Sequence, residues 1–452
     1  MEINLNKLAF ICLHTSGGNI YPPQDIAIEM SKELVYDNWE NYIKNDYEKH
    51  KKIGLYLHTP FCEAKCVFCS CGSEKIVGGN TLDNYLNKIL DELNYFSPIF
   101  KNIKLNHAYF GGGTPSIYNN DQLNKLLKTI RGLYNFQDYA QWNFEISPHT
   151  ITEEKIKILK KYGVSRVTIG IQTMTENSLK FNNRIQTWEK IEKTFLWIRN
   201  SGIENINVDL MPGIPGENLK DFLINLKRII LLKPNMIHLY PFRPTKETLF
   251  YKDGFTYTDN DIKNRDIMYE LGVKLIESFG YKGIENDSWG LNESARNDQE
   301  VDKIVNNCSI LGFGYPTRSY IHKNLMYFTG YDMYKDDYPT YMGIKMFKND
   351  YISRFIISHF RHGFDINEIN QKFSINFLDL YKNEISFLEE NKVINIENNF
   401  FKTKIENVYE KLLFSKIFYS VENIKLILDK FSYDEKRDYV KEFQNTLSIA
   451  YK

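Results

Sequence analysis

No run of about 18 consecutive apolar residues occurs in this chain, so no segment reads as a membrane-spanning helix. The first thirty residues lack the basic, apolar and small-residue succession of a secretory signal. An excess of either charge is also missing. Lys+Arg and Asp+Glu both number 57, so no global field would draw the chain to nucleic acid or to a membrane surface. Cysteine is scarce: Cys62, Cys66, Cys69 and Cys71 fall within ten residues, while Cys12 and Cys308 stand alone. That distribution is no disulfide framework. These absences predict a soluble, cytoplasmic protein, expected to be a monomer, with neither nucleic acid nor membrane as partner. There is no internal repeat of fixed period and no long low-complexity tract.

What is present is a 452-residue chain, 42% hydrophobic and 25% charged, long enough for two or three domains. Six β-like runs stand out: Ile53 to His58, Leu105 to Phe110, Trp142 to Ser147, Arg166 to Gln172, Ile206 to Met211 and Met236 to Tyr240. Between them lie stretches of helical period, Leu82 to Leu93, Leu123 to Leu133, Glu153 to Tyr162, Trp188 to Asn200 and Asp221 to Leu232. Strand alternating with helix implies parallel βα units, and six of them predict an α/β fold of the partial (β/α)6, TIM-like barrel type.

In such barrels the chemistry sits at the carboxyl ends of the strands. The cysteine cluster follows the first strand and Gly111-Gly112-Gly113-Thr114-Pro115 the second. Glu145 lies near the end of the third, Gln172 ends the fourth, and Asp209 lies late in the fifth. We divide the chain into an N-terminal extension (1–50), the barrel (51–250), an extension of mixed helix and irregular chain (251–345), and a mostly helical C-terminal domain (346–452). Asp365 with Glu368 reads as a helix start, Phe377 to Leu388 as an amphipathic helix, and Val393 to Thr403 as a hairpin around Asn398-Asn399. Helices and hairpin together predict a winged-helix-like module. Glu389, Glu390 and Glu397 flank its hairpin, which favours a cap over the barrel mouth rather than a DNA reader.

The thiols at Cys62, Cys66 and Cys69 have spacings of four and three, which can wrap one face of an iron–sulfur cubane and leave one iron open. Structural zinc and reactive thiols remain as alternatives, although no second Cys-x-x-Cys knuckle follows. Cys71, two residues after Cys69, is badly placed as a fourth ligand; it is either a pocket residue or an inert loop thiol. His58 either tunes the metal site or packs at the strand end, and Cys12 and Cys308 read as small core residues.

Cys62-x-x-x-Cys66-x-x-Cys69 after a first strand, with Phe68 before the third cysteine and the Gly-rich run after the second strand, resembles the radical S-adenosylmethionine (SAM) superfamily. Leu55 to Cys62, the extra Cys71, Arg166 to Thr173, Asn183-Arg184, Asn207 to Gly216 and Gly312-Phe313-Gly314 are similar to its oxygen-independent coproporphyrinogen III oxidase (dehydrogenase) family. The resemblance covers roughly residues 53 to 330, and the module at 346 to 410 is similar to that family's C-terminal domain.

The resemblance implies the radical SAM barrel, a 4Fe–4S cluster and two SAM molecules. Tyr56, Gly112 and Glu145 would contact the cluster-bound SAM. Phe68, Gly113, Thr114, Gln172, Arg184 and Asp209 would line the second, with Arg243 a further candidate, and Cys71 would act in catalysis. It further implies an electron donor such as flavodoxin or ferredoxin. The implied reaction is oxidative decarboxylation of coproporphyrinogen III propionates to vinyl groups in haem biosynthesis, initiated by a 5′-deoxyadenosyl radical. Alternatives are a two-SAM methyltransferase or haem-degrading enzyme, and a haem-binding or trafficking protein without turnover. The chain departs from the family pattern at Leu13 to Pro23, where a Tyr-Thr-Ser-Tyr-Pro-like segment is usual, and at Ser70 and Gly72-Ser73-Glu74.

Overall fold

The computed structural model describes residues 4–15, 21–50, 52–76, 78–244, 248–285, 287–292, 295–298, 308–330, 340–360, 363–405 and 408–450. Residues 16–20 of the departing N-terminal segment lie outside this set.

Six parallel strands stand side by side in chain order: β1 (Ile53–Thr59), β2 (Lys104–Gly112), β3 (Asn135–Ile146), β4 (Arg166–Gln172), β5 (Asn205–Leu210) and β6 (Met236–Leu239). The helices α1 (Thr81–Phe96), α2 (Asn120–Leu133), α3 (Glu153–Lys161), α4 (Trp188–Ser201), α5 (Leu219–Leu231) and α6 (Asp259–Ser278) follow them one by one. The strands are largely apolar where both faces are covered, while β3 runs to twelve residues with a polar, partly exposed first half. In β1 every residue but Tyr56 is buried. All of these helices but α1 start where a side chain takes up free backbone amides. Asn119 and Gln122 form a reciprocal capping box on α2, and Thr152, Thr187 and Asn218 cap α3, α4 and α5.

The strand order is linear, which makes the barrel partial. On the β1 side the sheet continues through Ser309–Phe313, parallel to β1, and then antiparallel through Thr317–Ile321, Leu325–Gly330, Thr340–Lys345 and Ile28–Met30. On the β6 side it continues antiparallel through Ser288–Gly290 and Lys282–Glu285. Much of the region read from sequence as irregular is therefore sheet.

The C-terminal module begins with the helix Asp350–His359. Asp365 caps the helix Ile366–Phe373 as anticipated, accepting from the amides of Asn367 and Glu368. The anticipated helix Phe377 to Leu388 is two pieces, Phe377–Leu380 and Lys382–Glu390, because Tyr381 between them leaves helical geometry. Strands Ile394–Glu397 and Phe400–Thr403 form the hairpin, with Asn398 and Asn399 both at positive φ in its two-residue turn. One hydrophobic core fills the barrel. A second joins this module to the helix Leu5–His14, so the start of the described chain packs with its end.

Candidate functional site

The cysteine loop is a closed unit. Phe61–Cys62 pairs with Glu74–Lys75, the Glu74 amide donates to the Pro60 carbonyl (2.7 Å) and the Ile76 amide to that of Cys62 (3.1 Å). Gly72, at positive φ, lies against Pro316, and Ser73 is buried 3.3 Å from the Cys69 sulfur, so the departing Gly72-Ser73-Glu74 segment is packed into the site.

Each thiol has its own partner. Thr114 Oγ1 donates to Cys62 Sγ (3.2 Å), Arg184 Nη1 to Cys66 Sγ (3.4 Å), and the Cys71 amide to Cys69 Sγ (3.4 Å). Hydrogen bonding from the Cys71 side chain pulls the Cys69 thiol down to about 5, and the same bond pushes Cys71 up. Burial pushes Cys62 up. Among the described residues no three His, Cys, Asp or Glu side chains are gathered tightly enough for a single metal ion.

The glycine run curls against this loop. The Gly113 amide donates to the Thr59 carbonyl (2.7 Å), and a Cβ on Gly113 would stand 2.7 Å from the Phe61 carbonyl oxygen and 3.0 Å from Cys62 Sγ. Gly112, at positive φ, faces the His58 ring, whose buried Nε2 has no hydrogen-bond partner and whose pKa burial lowers to about 4. Beneath them Tyr109 donates to Glu145 Oε1 (2.6 Å). Burial pushes the Glu145 carboxyl up to about 7; the Tyr109 bond acts against that shift and the Asp209 charge adds to it.

A cavity of about 1450 Å³ opens over this floor, lined by Tyr56, His58, Cys69, Cys71, Gly112 and Glu145. The other anticipated residues stand behind that surface or beside it. Asp209 accepts from His238 Nδ1 (3.0 Å) and Asn207 Nδ2 (3.1 Å), and His238 does line the cavity. Gln172 is held at positive φ where the β4–β5 register shifts, with its Oε1 buried and unpartnered. Arg184 reaches back to the Gly170 carbonyl and to Gln186 while its Nε is buried without a partner. Phe68 packs against a small core of Val67, Phe242, Phe250 and Tyr257. Arg243 is exposed in the loop after β6.

Sequence reasoning passed over Tyr109, His238 and Tyr240, whose hydroxyl lies 2.8 Å from His238 Nδ1 in the cavity wall. A signal for His238 existed: parallel register sets it opposite Asp209, so one strand-end polar residue pointed to its neighbour. Tyr109 had none, because its value comes from the hydroxyl contact across the sheet to Glu145.

Residues 56–229 match the model of the radical SAM superfamily. The oxygen-independent coproporphyrinogen III oxidase of Salmonella typhimurium is 27% identical over 298 residues, covering 65% of this chain and 63% of that protein. The haem chaperone HemW of Lactococcus lactis is 28% identical over 244 residues, covering 53% of this chain and 63% of that one. The chain thus spans somewhat under two thirds of the length of these relatives. The solved structure of coproporphyrinogen III oxidase (HemN) from Escherichia coli shares the fold, with a TM-score of 0.73 at 19% identity, covering 86% of this chain and 94% of the other.

Proposed function

We propose, on the footing that residues 56–229 carry a radical SAM domain, that this chain cleaves SAM reductively at a 4Fe–4S cluster and decarboxylates the propionates of coproporphyrinogen III. The superfamily itself implies the cluster and SAM. The substrate rests on the relatives' names and on one observation that carries the reading: the thiol loop, the glycine cradle and Glu145 all meet a single cavity of about 1450 Å³. That exceeds the roughly 300–1,000 Å³ of an ordinary small-molecule site and has room for SAM beside a broad macrocycle.

The donor set fits the cluster. Cys62, Cys66 and Cys69 lie on one pinned loop, Cys69 is biased to thiolate, and the Arg184 guanidinium and Thr114 hydroxyl already face two of the sulfurs. A cubane takes each thiolate on a different iron, so it does not require the sulfurs to converge on one small centre as zinc would. When bound, the cluster and SAM supply an electron and a carbon-centred hydrogen abstractor, and the chain supplies position and exclusion of water.

Glu145 is placed to accept from the ammonium of SAM, whose positive charge would restore the carboxylate that burial disfavours. Tyr56 and Gly112 flank it. Gln172 and Arg184, with buried polar atoms lacking partners, are suited to a second SAM together with Phe68, Gly113, Thr114, Asp209 and Arg243. Cys71, as the protonated partner of Cys69, orients substrate from the loop side. A ferredoxin- or flavodoxin-like protein would deliver the electron.

The haem chaperone relatives favour a second reading, haem binding without turnover. One experiment separates the two. Anaerobically reconstituted protein is expected to carry about four irons per chain; Cys62→Ala, Cys66→Ala and Cys69→Ala should lose them and Cys71→Ser should keep them. With coproporphyrinogen III, a reductant for the cluster and a one-electron acceptor for the substrate radical it should release carbon dioxide and 5′-deoxyadenosine. S-adenosylhomocysteine would mark methyl transfer instead, and binding of haem with no SAM-derived product would establish the chaperone reading.

A further inference from the structure

The cavity has a wall that none of this chemistry uses. Strand Thr317–Ile321 carries Arg318 and helix Asp350–His359 carries Arg354, and both side chains line the cavity. The Arg354 guanidinium lies 3.8 Å from the Tyr320 ring centre, and that of Arg318 5.4 Å from Phe328. Held in this way, with Arg354 also donating to the Tyr320 side chain, the two planar groups are fixed in place and keep Arg318 Nε and Arg354 Nη1 for a ligand.

Among the described residues neither has a counterion: no carboxylate lies within ion-pair distance of either guanidinium, and Arg318 Nε and Arg354 Nη1 are buried without a hydrogen-bond partner. Asp350, one turn before Arg354, is taken: its oxygens accept from Tyr21, from Asn423 and from the Phe347 amide. Burial lowers the pKa of both arginines, and for Arg318 the charge of Arg354 adds to the effect. Two adjacent half-buried cations, each with a buried donor left unmet, are costly in the empty protein, and an anion between them removes that cost. The rest of the lining agrees, with five Lys or Arg against three Asp or Glu.

We propose that Arg318 and Arg354 form a carboxylate clamp that binds one acidic side arm of the ligand, so that the cavity selects polycarboxylates over neutral molecules of the same shape. The identity of the ligand rests on the tetrapyrrole reading; the anion site does not. Bidentate pairing with a guanidinium gives direction as well as charge, so the clamp fixes which way the ligand lies over Tyr56 and Glu145.

The probes are coproporphyrin III, its tetramethyl ester and benzene-1,3,5-tricarboxylate, titrated against the full chain by calorimetry or porphyrin fluorescence. Arg318→Gln and Arg354→Gln should each weaken the porphyrin acid about tenfold or more, while the ester binds wild type and both variants alike. Equal ester binding also shows that the variants are folded, and Arg354→Lys should recover part of the loss. The clamp is overturned if both glutamine variants bind the acid as wild type does, or if wild type binds ester and acid equally. Should wild type bind neither porphyrin, the tetrapyrrole reading fails alone, and the tricarboxylate decides the site. Binding that is lost in both variants upholds it, and no binding overturns it.

Discussion

Glu92 shows how a single buried carboxyl writes a pH dependence into the barrel. It sits on α1 with 1% of its surface exposed, accepts from the Tyr341 hydroxyl (2.6 Å), and leaves Oε2 without a partner. Burial pushes its pKa from 4.5 up to about 7. Between those values the folded chain keeps a proton that the unfolded chain has released, so stability falls as pH rises through that window and stays lower above it. The group is worth on the order of 2–3 kcal/mol between pH 5 and pH 8. Glu92→Gln cannot ionise, so urea unfolding of the variant should lose that part of the slope and be more stable than wild type at pH 8. An unchanged slope would mean that the carboxyl finds a compensating cation when ionised.

Among the elements, the loop ends of β1 and β2 are interlocked through Gly113, where a Cβ has no room between the Phe61 carbonyl and the Cys62 sulfur. Gly113→Ala must push the Phe61–Cys62 strand aside, and reconstituted iron should fall to less than about half of wild type. Gly79→Ala, with nothing within 4 Å of its new Cβ, should leave iron content unchanged. The barrel strands were legible because burial on both faces makes them continuous apolar runs, and β4 begins and ends where its sequence suggested. The thiol spacing and the glycine run were legible for the same reason: local chemistry needs neighbours in sequence. The strands Thr317–Ile321, Leu325–Gly330 and Thr340–Lys345 were not. They are aromatic-rich and short, and what makes them strands is pairing with one another, which no local period announces. Arg318 went unnoticed with them, since a lone arginine in a presumed irregular stretch reads as solvated.

At the scale of the whole molecule, the helix Leu5–His14 joins the two ends of the described chain. Asn6 accepts from the Tyr439 amide (2.7 Å) and donates to the Arg437 carbonyl (2.8 Å), while Phe10 packs edge-on against Tyr433 and Tyr439. Phe10 is 1% exposed, so Phe10→Ala should cost about 3–5 kcal/mol, measured by chemical denaturation. A loss below about 1 kcal/mol would show that the helix is only draped over the module. Just after this helix the chain runs through Gln24, Asp25 and Ala27, which line the cavity, with Gln24–Ile26 packed beside the helix Val421–Lys430.

Partners separated by more than 400 positions impose an order on biosynthesis. A nascent chain emerging from the ribosome has its cysteine loop and glycine cradle complete long before Tyr439 exists to receive Phe10. Until then the segment through Gln24 is anchored through the strand Ile28–Met30 on Thr340–Lys345 but not by the C-terminal helices, and the thiols stay open to any assembly machinery that delivers iron and sulfide. Emergence of the helix Tyr439–Ala450 lets the helix Leu5–His14 dock, and that side of the cavity closes around a centre already built.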